Sequence, residues 1–146
     1  MVAVAVSACL LGENCKYNGG NNRCDALLEA LRAHDDILVI PVCPEVAGGL
    51  PTPRPPAEIV DGRVLAVNGD DVDRAFRLGS AKELERLCPY IEKGELAAAV
   101  LQSRSPSCGV HQVYDGSFEG RLIAGQGVFA RDLESMGVEL IDVSDI

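Results

Sequence analysis

Apolar positions along the chain fall into two rhythms. Val2-Ala-Val-Ala-Val6, Ile37-Leu-Val-Ile-Pro41 and the run over 97–102 are short, continuous and small or β-branched. That pattern predicts strands buried on both faces, and 138–143 reads as a fourth. Between them the spacing turns helical. A helix is expected over about 24–34, its stripe formed by Ala26, Leu27, Leu28, Ala30 and Leu31, with Asn22 or Asp25 as its cap. A longer helix starts at Asp70 or Asp71 and runs to about 92, with Pro89 ending or kinking it. A third helix is expected over 127–136, stopped by Gly137.

Two further segments alternate around tight-turn dipeptides. Asp61-Gly62 separates 57–60 from 63–67, and Asp115-Gly116-Ser117 separates 110–114 from 118–123. Both predict β-hairpins. The stretch 43–56 holds Pro44, Pro51, Pro53, Pro55 and Pro56 with Gly48 and Gly49, and reads as a shaped loop that is neither helix nor central strand.

The order of elements predicts an α/β fold: one Rossmann-like, three-layer domain over residues 1–146, with a mostly parallel sheet of about four strands. The two hairpin insertions leave one sheet edge, where they form a lid or a dimer surface. Chain length and an apolar content of 47% suit a soluble domain with a sizeable core. No apolar run approaches the roughly 20 residues that span a bilayer. The start MVAVAVSACLL lacks a basic region and reads as the first strand, so a cytoplasmic protein is expected. A net charge of −9 without a basic cluster argues against nucleic-acid polymers as partners, while leaving a free nucleobase open.

Chemistry enters through the six cysteines. In a reducing compartment they favour metal or thiol chemistry over disulfides. Cys9, Cys43 and Cys108 each follow a predicted strand and sit in Gly- or Pro-rich loops. Strand ends of a parallel sheet share one crevice, so three thiols meet where ligands bind. Such a set suits an iron–sulfur centre or zinc, and three ligands leave a coordination position open. Cys15 and Cys24 are candidates for a fourth ligand or a persulfide carrier, whereas Cys88 reads as filler in a helix. Glu45 shares the Cys43 loop and is placed to move protons. Ser103, Ser105 and Ser107 precede Cys108, and their hydroxyls are candidates for activating a water. Arg54 and Arg104 lie in the same loops as candidate anion holders. His34 and His111 have no evident partner, although His111 is three residues from Cys108. Gly125-x-Gly127 before a helix is a weak anion-site signal.

Ser7-Ala-Cys-Leu-Leu-Gly12, Cys15-Lys-Tyr-Asn-Gly19, Cys43-Pro-Glu-Val-Ala-Gly-Gly-Leu50 with Pro53-Arg54, and Ser103-Arg-Ser-Pro-Ser-Cys-Gly109 together resemble the TudS thiouracil desulfurase family. Asn18 stands where an Asp is expected. The resemblance implies a 4Fe–4S cluster held by Cys9, Cys43 and Cys108, with one iron free for the sulfur of a thiolated nucleobase. It implies that Glu45 handles protons or water, assisted by Ser105 or Ser103, in a non-redox conversion such as thiouracil to uracil. Two other readings stay open: a non-catalytic iron–sulfur or zinc module, and a sulfur-trafficking thiol protein.

Overall fold

A computed structural model describes residues 2–146. The chain runs β1 (Val2–Ser7), α1 (Asp25–Arg32), β2 (Ile37–Val42), α2 (Pro44–Ala47), β3 (Ala57–Val60), β4 (Arg63–Ala66), α3 (Asp73–Glu92), β5 (Leu96–Leu101), β6 (Gln112–Tyr114), β7 (Leu122–Ala124), α4 (Val128–Ser135) and β8 (Leu140–Asp142). The expected α/β architecture is present. Four parallel strands form the main sheet in the order β2-β1-β5-β8, and two antiparallel hairpins stand apart from it. No helix among the described residues is long and apolar enough to cross a membrane.

Strand alternation sorts the core into two layers. Val4, Val6 and Val100 face α1, where Leu27 packs on them. Ala3, Ala5, Ala99 and Leu101 face α3 and α4, under Leu87, Phe129 and Leu133. Pro41 is tolerated because β2 is an edge strand, where a ladder hydrogen bond is dispensable. Within α1 the predicted stripe narrows: Leu27 is buried, but Ala26 and Ala30 face outward.

Two local expectations are corrected. The stretch after Cys43 holds a one-turn helix, because Pro44 occupies its first turn, where no backbone donor is missed. The long helix ends at Glu92 as expected, three residues past Pro89. Pro89 and Glu85 both lie on the exposed side, so the carbonyl freed four residues back meets water. Val72 and Cys24 stand at the helix caps and make no side-chain cap bond, while Asp71, one residue earlier, accepts the Asp73 N–H at 3.0 Å.

The short α2 docks on α3 backbone to backbone. A Cβ on Gly79 would overlap the Pro44 carbonyl, and one on Gly48 would overlap the Ala75 carbonyl. Gly79→Ala should therefore cost at least the 1–3 kcal/mol typical of overpacking, about, because rigid backbone must move. The checking measurement is the urea midpoint, which should fall with an unchanged slope.

Candidate metal and catalytic centre

In a sheet of order β2-β1-β5-β8 the connections leave β1 and β5 on opposite sides. The crevice beyond their C-terminal ends is where such folds bind ligands. There Ser7 at the end of β1 accepts the Gln102 N–H just past β5, at 3.0 Å. A cavity of about 520 Å³ opens above that junction. Cys9, Cys15, Cys43 and Cys108 line it, with Glu45, Arg54, Ser103, Ser105 and Ser107. Ala57 and Glu58 of one hairpin and Tyr114 of the other complete its wall. The hairpins are pinned together by Glu58, whose Oε1 accepts the N–H groups of Gly116 and Phe118 at 3.0 and 3.1 Å. They thus wall the cavity.

Each thiol is set by a tight local device. Cys9 sits in a 3₁₀ turn, Ala8–Leu11, closed by Gly12 at φ +98°. The Asn22 amide reaches its sulfur at 3.7 Å. Cys43 caps α2, with its carbonyl taken by the Ala47 N–H at 2.9 Å. Cys108 is held by Ser105, whose Oγ accepts the N–H groups of Ser107 and Cys108 at 3.2 and 3.1 Å. The N-terminus of α4 closes over this turn. Val128 N–H donates to Pro106 O, and the N–H groups of Phe129 and Ala130 donate to Ser107 O. Those donors are therefore occupied by loop carbonyls, and the Gly125-x-Gly127 segment presents no free anion site. Gly127 is required here, since a Cβ would stand 2.7 Å from Cys108 N.

The thiols differ in proton affinity. Burial pushes Cys108 up to about 12, only partly offset by hydrogen bonds from the Ser7 and Ser107 hydroxyls. Burial also raises Cys9, against the Asn22 amide. Cys43 is lowered to about 7 by a hydrogen bond from Cys15, which outweighs its desolvation. The same contact raises Cys15.

Glu45 and Arg54 form a desolvated ion pair, Nε to Oε1 at 3.1 Å, with side chains 16% and 6% exposed. Arg54 also donates to the carbonyls of Cys15 (2.9 Å) and Pro51 and to the Thr52 hydroxyl. It is a buried clamp and not a surface cation. The second carboxylate oxygen of Glu45 accepts the Ser107 hydroxyl at 2.8 Å, and Ser107 Oγ lies 2.9 Å from Ser105 Oγ. A chain Glu45–Ser107–Ser105 therefore lies beside Cys108. The Ser103 hydroxyl instead meets Asp142 at the end of β8. Arg104 lines the cavity from an exposed position with φ +62°.

The remaining candidates lie elsewhere. Cys24 packs under α1, Cys88 contacts Glu92 on α3, and His34 is exposed. His111 does have a partner, Asp145, at 2.8 Å, and both are exposed. Asp142 is buried. Its burial is outweighed by hydrogen bonds from Ser103 and Ser144, which hold its carboxyl below the usual range. A depressed folded pKa adds stability above the unfolded value, lost as pH falls through the folded one. Asp142→Asn should cost about 1–3 kcal/mol at neutral pH. Urea titrations at descending pH should show the gap to the parent protein closing below about pH 4.

Among the described residues, no three His, Cys, Asp or Glu side chains crowd around one point as a single ion requires. Tetrahedral zinc, with bonds of about 2.3 Å, needs thiolates about 3.8 Å apart. A multi-iron cluster takes one thiolate per iron, and three thiols line this one cavity.

The model of the 2-thiouracil desulfurase family matches residues 4–145. The chain belongs to the 2-thiouracil desulfurase family. Another relative is the uncharacterized protein YbbK of Bacillus subtilis, 33% identical, with 98% of this chain and 97% of YbbK covered. Among solved structures, the 4Fe-4S-dependent thiouracil desulfidase TudS superposes with a TM-score of 0.87 at 37% identity. That match covers all of this chain and 93% of TudS. The family fold, a parallel sheet with a crevice at the β1–β5 junction, is thus the frame on which this thiol-lined cavity is built.

Two features of the site were not signalled by motif. Glu83 on α3 accepts the Cys43 N–H at 3.0 Å. Its trace in the sequence is a carboxylate at helical spacing between Gly79 and Leu87, on the buried face. Ser107, not Ser103, bonds Glu45; residues at successive odd positions of one turn are not separable by spacing alone.

Proposed function

We propose that this chain is a 4Fe–4S-dependent enzyme removing sulfur from a thiolated pyrimidine, thiouracil to uracil, with Cys9, Cys43 and Cys108 as the cluster ligands. The observation that carries the reading is the convergence of these thiols and the Glu45–Ser107–Ser105 chain on one cavity. Cys15 lies beside Cys43 and donates a hydrogen bond to it, so we assign it a supporting place next to the three ligands. When bound, the cluster supplies a Lewis-acidic iron with affinity for soft sulfur.

The chain's own residues handle water and protons. The overall change is substrate plus water giving the oxo product plus hydrogen sulfide, with no net redox step. Glu45 accepts a proton from the water as its oxygen bonds to the thiocarbonyl carbon. Arg54 fixes one carboxylate oxygen and so keeps the other directed at Ser107. Ser107 and Ser105 extend the path along which that proton reaches the departing sulfur. Tyr17 and Tyr114 stand in the cavity wall, where a flat ring can pack.

The test is anaerobic reconstitution with iron and sulfide, followed by incubation with thiouracil. Broad visible absorption, uracil formation and equimolar sulfide release are expected. Turnover that survives removal of all iron by a chelator would sink the reading.

A further inference from the structure

Glu83 lies on the buried face of α3, in line with Phe76, Gly79, Ser80 and Leu87, and outside the cavity. Its side chain is 5% exposed. A carboxylate so placed costs several kcal/mol, about, unless it is paired and hydrogen-bonded. Here both conditions are met, and the partners identify the task. Arg86 Nη1 contacts both carboxylate oxygens at 2.8 and 2.9 Å and also reaches the Pro41 carbonyl at 3.2 Å. The Glu83 Oε2 atom accepts the Cys43 N–H at 3.0 Å. One ion pair thus grips the end of β2 at residues 41 and 43.

That end needs a grip. β2 is an edge strand with a partner on one side only, and Pro41 removes a further donor from it. Cys43 is the first residue past the ladder, in extended conformation at φ −144°, ψ 90°. Its carbonyl is held by α2 and its N–H by Glu83. Gly79, one turn before Glu83, lets α2 pack closely on α3 beside that bond, since a Cβ there would overlap the Pro44 carbonyl.

We propose that Glu83, charge-balanced by Arg86, is a positioning residue that fixes the backbone of Cys43 so that its sulfur stays aimed into the cavity. The proposal rests on the reading of Cys43 as a cluster ligand. It assigns Glu83 no contact with substrate.

The test uses the full chain, reconstituted anaerobically and then challenged with an iron chelator, with the decay of visible cluster absorption as readout. Glu83→Ala should lose its cluster on the order of 10-fold faster than the parent protein. Glu83→Gln should stay within about threefold of it, because the amide oxygen still accepts the Cys43 N–H. Ser80→Ala removes a part-buried hydrogen bond from the same helix to Asp132 on α4, not to the Cys43 turn, and controls for general loss of stability. It should decay at the parent rate. The proposal is overturned if Glu83→Ala decays at the parent rate, if Glu83→Gln is as labile as Glu83→Ala, or if Ser80→Ala matches Glu83→Ala. Cys43→Ala is measured alongside. Iron binding at the parent level in Cys43→Ala overturns the ligand assignment itself. Iron loss in Cys43→Ala together with parent-like Glu83→Ala overturns the positioning role alone.

Discussion

Glu45→Gln should lower turnover of thiouracil by about 10²- to 10⁴-fold while leaving the iron content of the reconstituted protein unchanged. The substitution keeps shape and volume. A glutamine oxygen still accepts from Arg54, and its amide nitrogen still meets the Ser107 hydroxyl, so the ion pair's geometry survives in outline. What is lost is a group able to take a proton from water. The deficit should therefore fall on kcat with KM little changed, since ring binding does not use the carboxylate's basicity. Steady-state kinetics with iron analysis on the same sample checks this. Parent-like kcat in an iron-replete Glu45→Gln protein would remove Glu45 from the chemistry. Loss of iron along with activity would instead make it a structural prop for the Cys43 turn.

Why the cysteines were legible in the sequence and the clamp around them was not follows from what each depends on. A thiol just past a buried strand is located by topology alone, because parallel strands end at one edge. Cys9, Cys43 and Cys108 needed only the strand periodicity and the turn residues to be placed together. Asp61-Gly62 likewise located the first hairpin, whereas the second closes through the longer connection 115–121 and its return strand begins at Leu122 instead of Phe118. Arg54 depends on something else. In a stretch with five prolines a guanidinium looks solvent-bound, and only the path of the chain across the Cys15 loop buries it. The one-turn helix α2 was hidden by the same prolines. Proline at the first helical turn is favourable, yet density of Pro and Gly was read as forbidding a helix. Glu83 was hidden by the opposite habit. A charge within a long helix is ordinarily solvated, and its burial follows from Gly79 drawing α2 against that face. Residues set by secondary structure were thus readable, and residues set by a close approach between two elements were not.

Single replacements of Cys9, Cys43 or Cys108 by Ala should each remove most of the bound iron and reduce desulfuration to background, whereas Cys24→Ala and Cys88→Ala should keep both. The argument is one of number and place. A cluster with one open iron has three protein ligands, so no ligand is spare. Cys15 cannot replace Cys43 in place: its backbone is tied through its carbonyl to Arg54, and Arg54 is tied to Glu45. Cys108 is the most demanding of the three. Buried and held by Ser105, with Gly127 against its backbone, it has no slack to let a neighbouring side chain take its position. Cys24 packs in the apolar layer under α1, and Cys88 points at Glu92 on the far helix, so neither reaches the cavity. Iron and sulfide analysis of the five variants, read with their visible spectra, separates the two groups. A Cys108→Ala protein with full iron and full turnover would mean that the buried thiol is core filler and that the cavity holds its metal in another way.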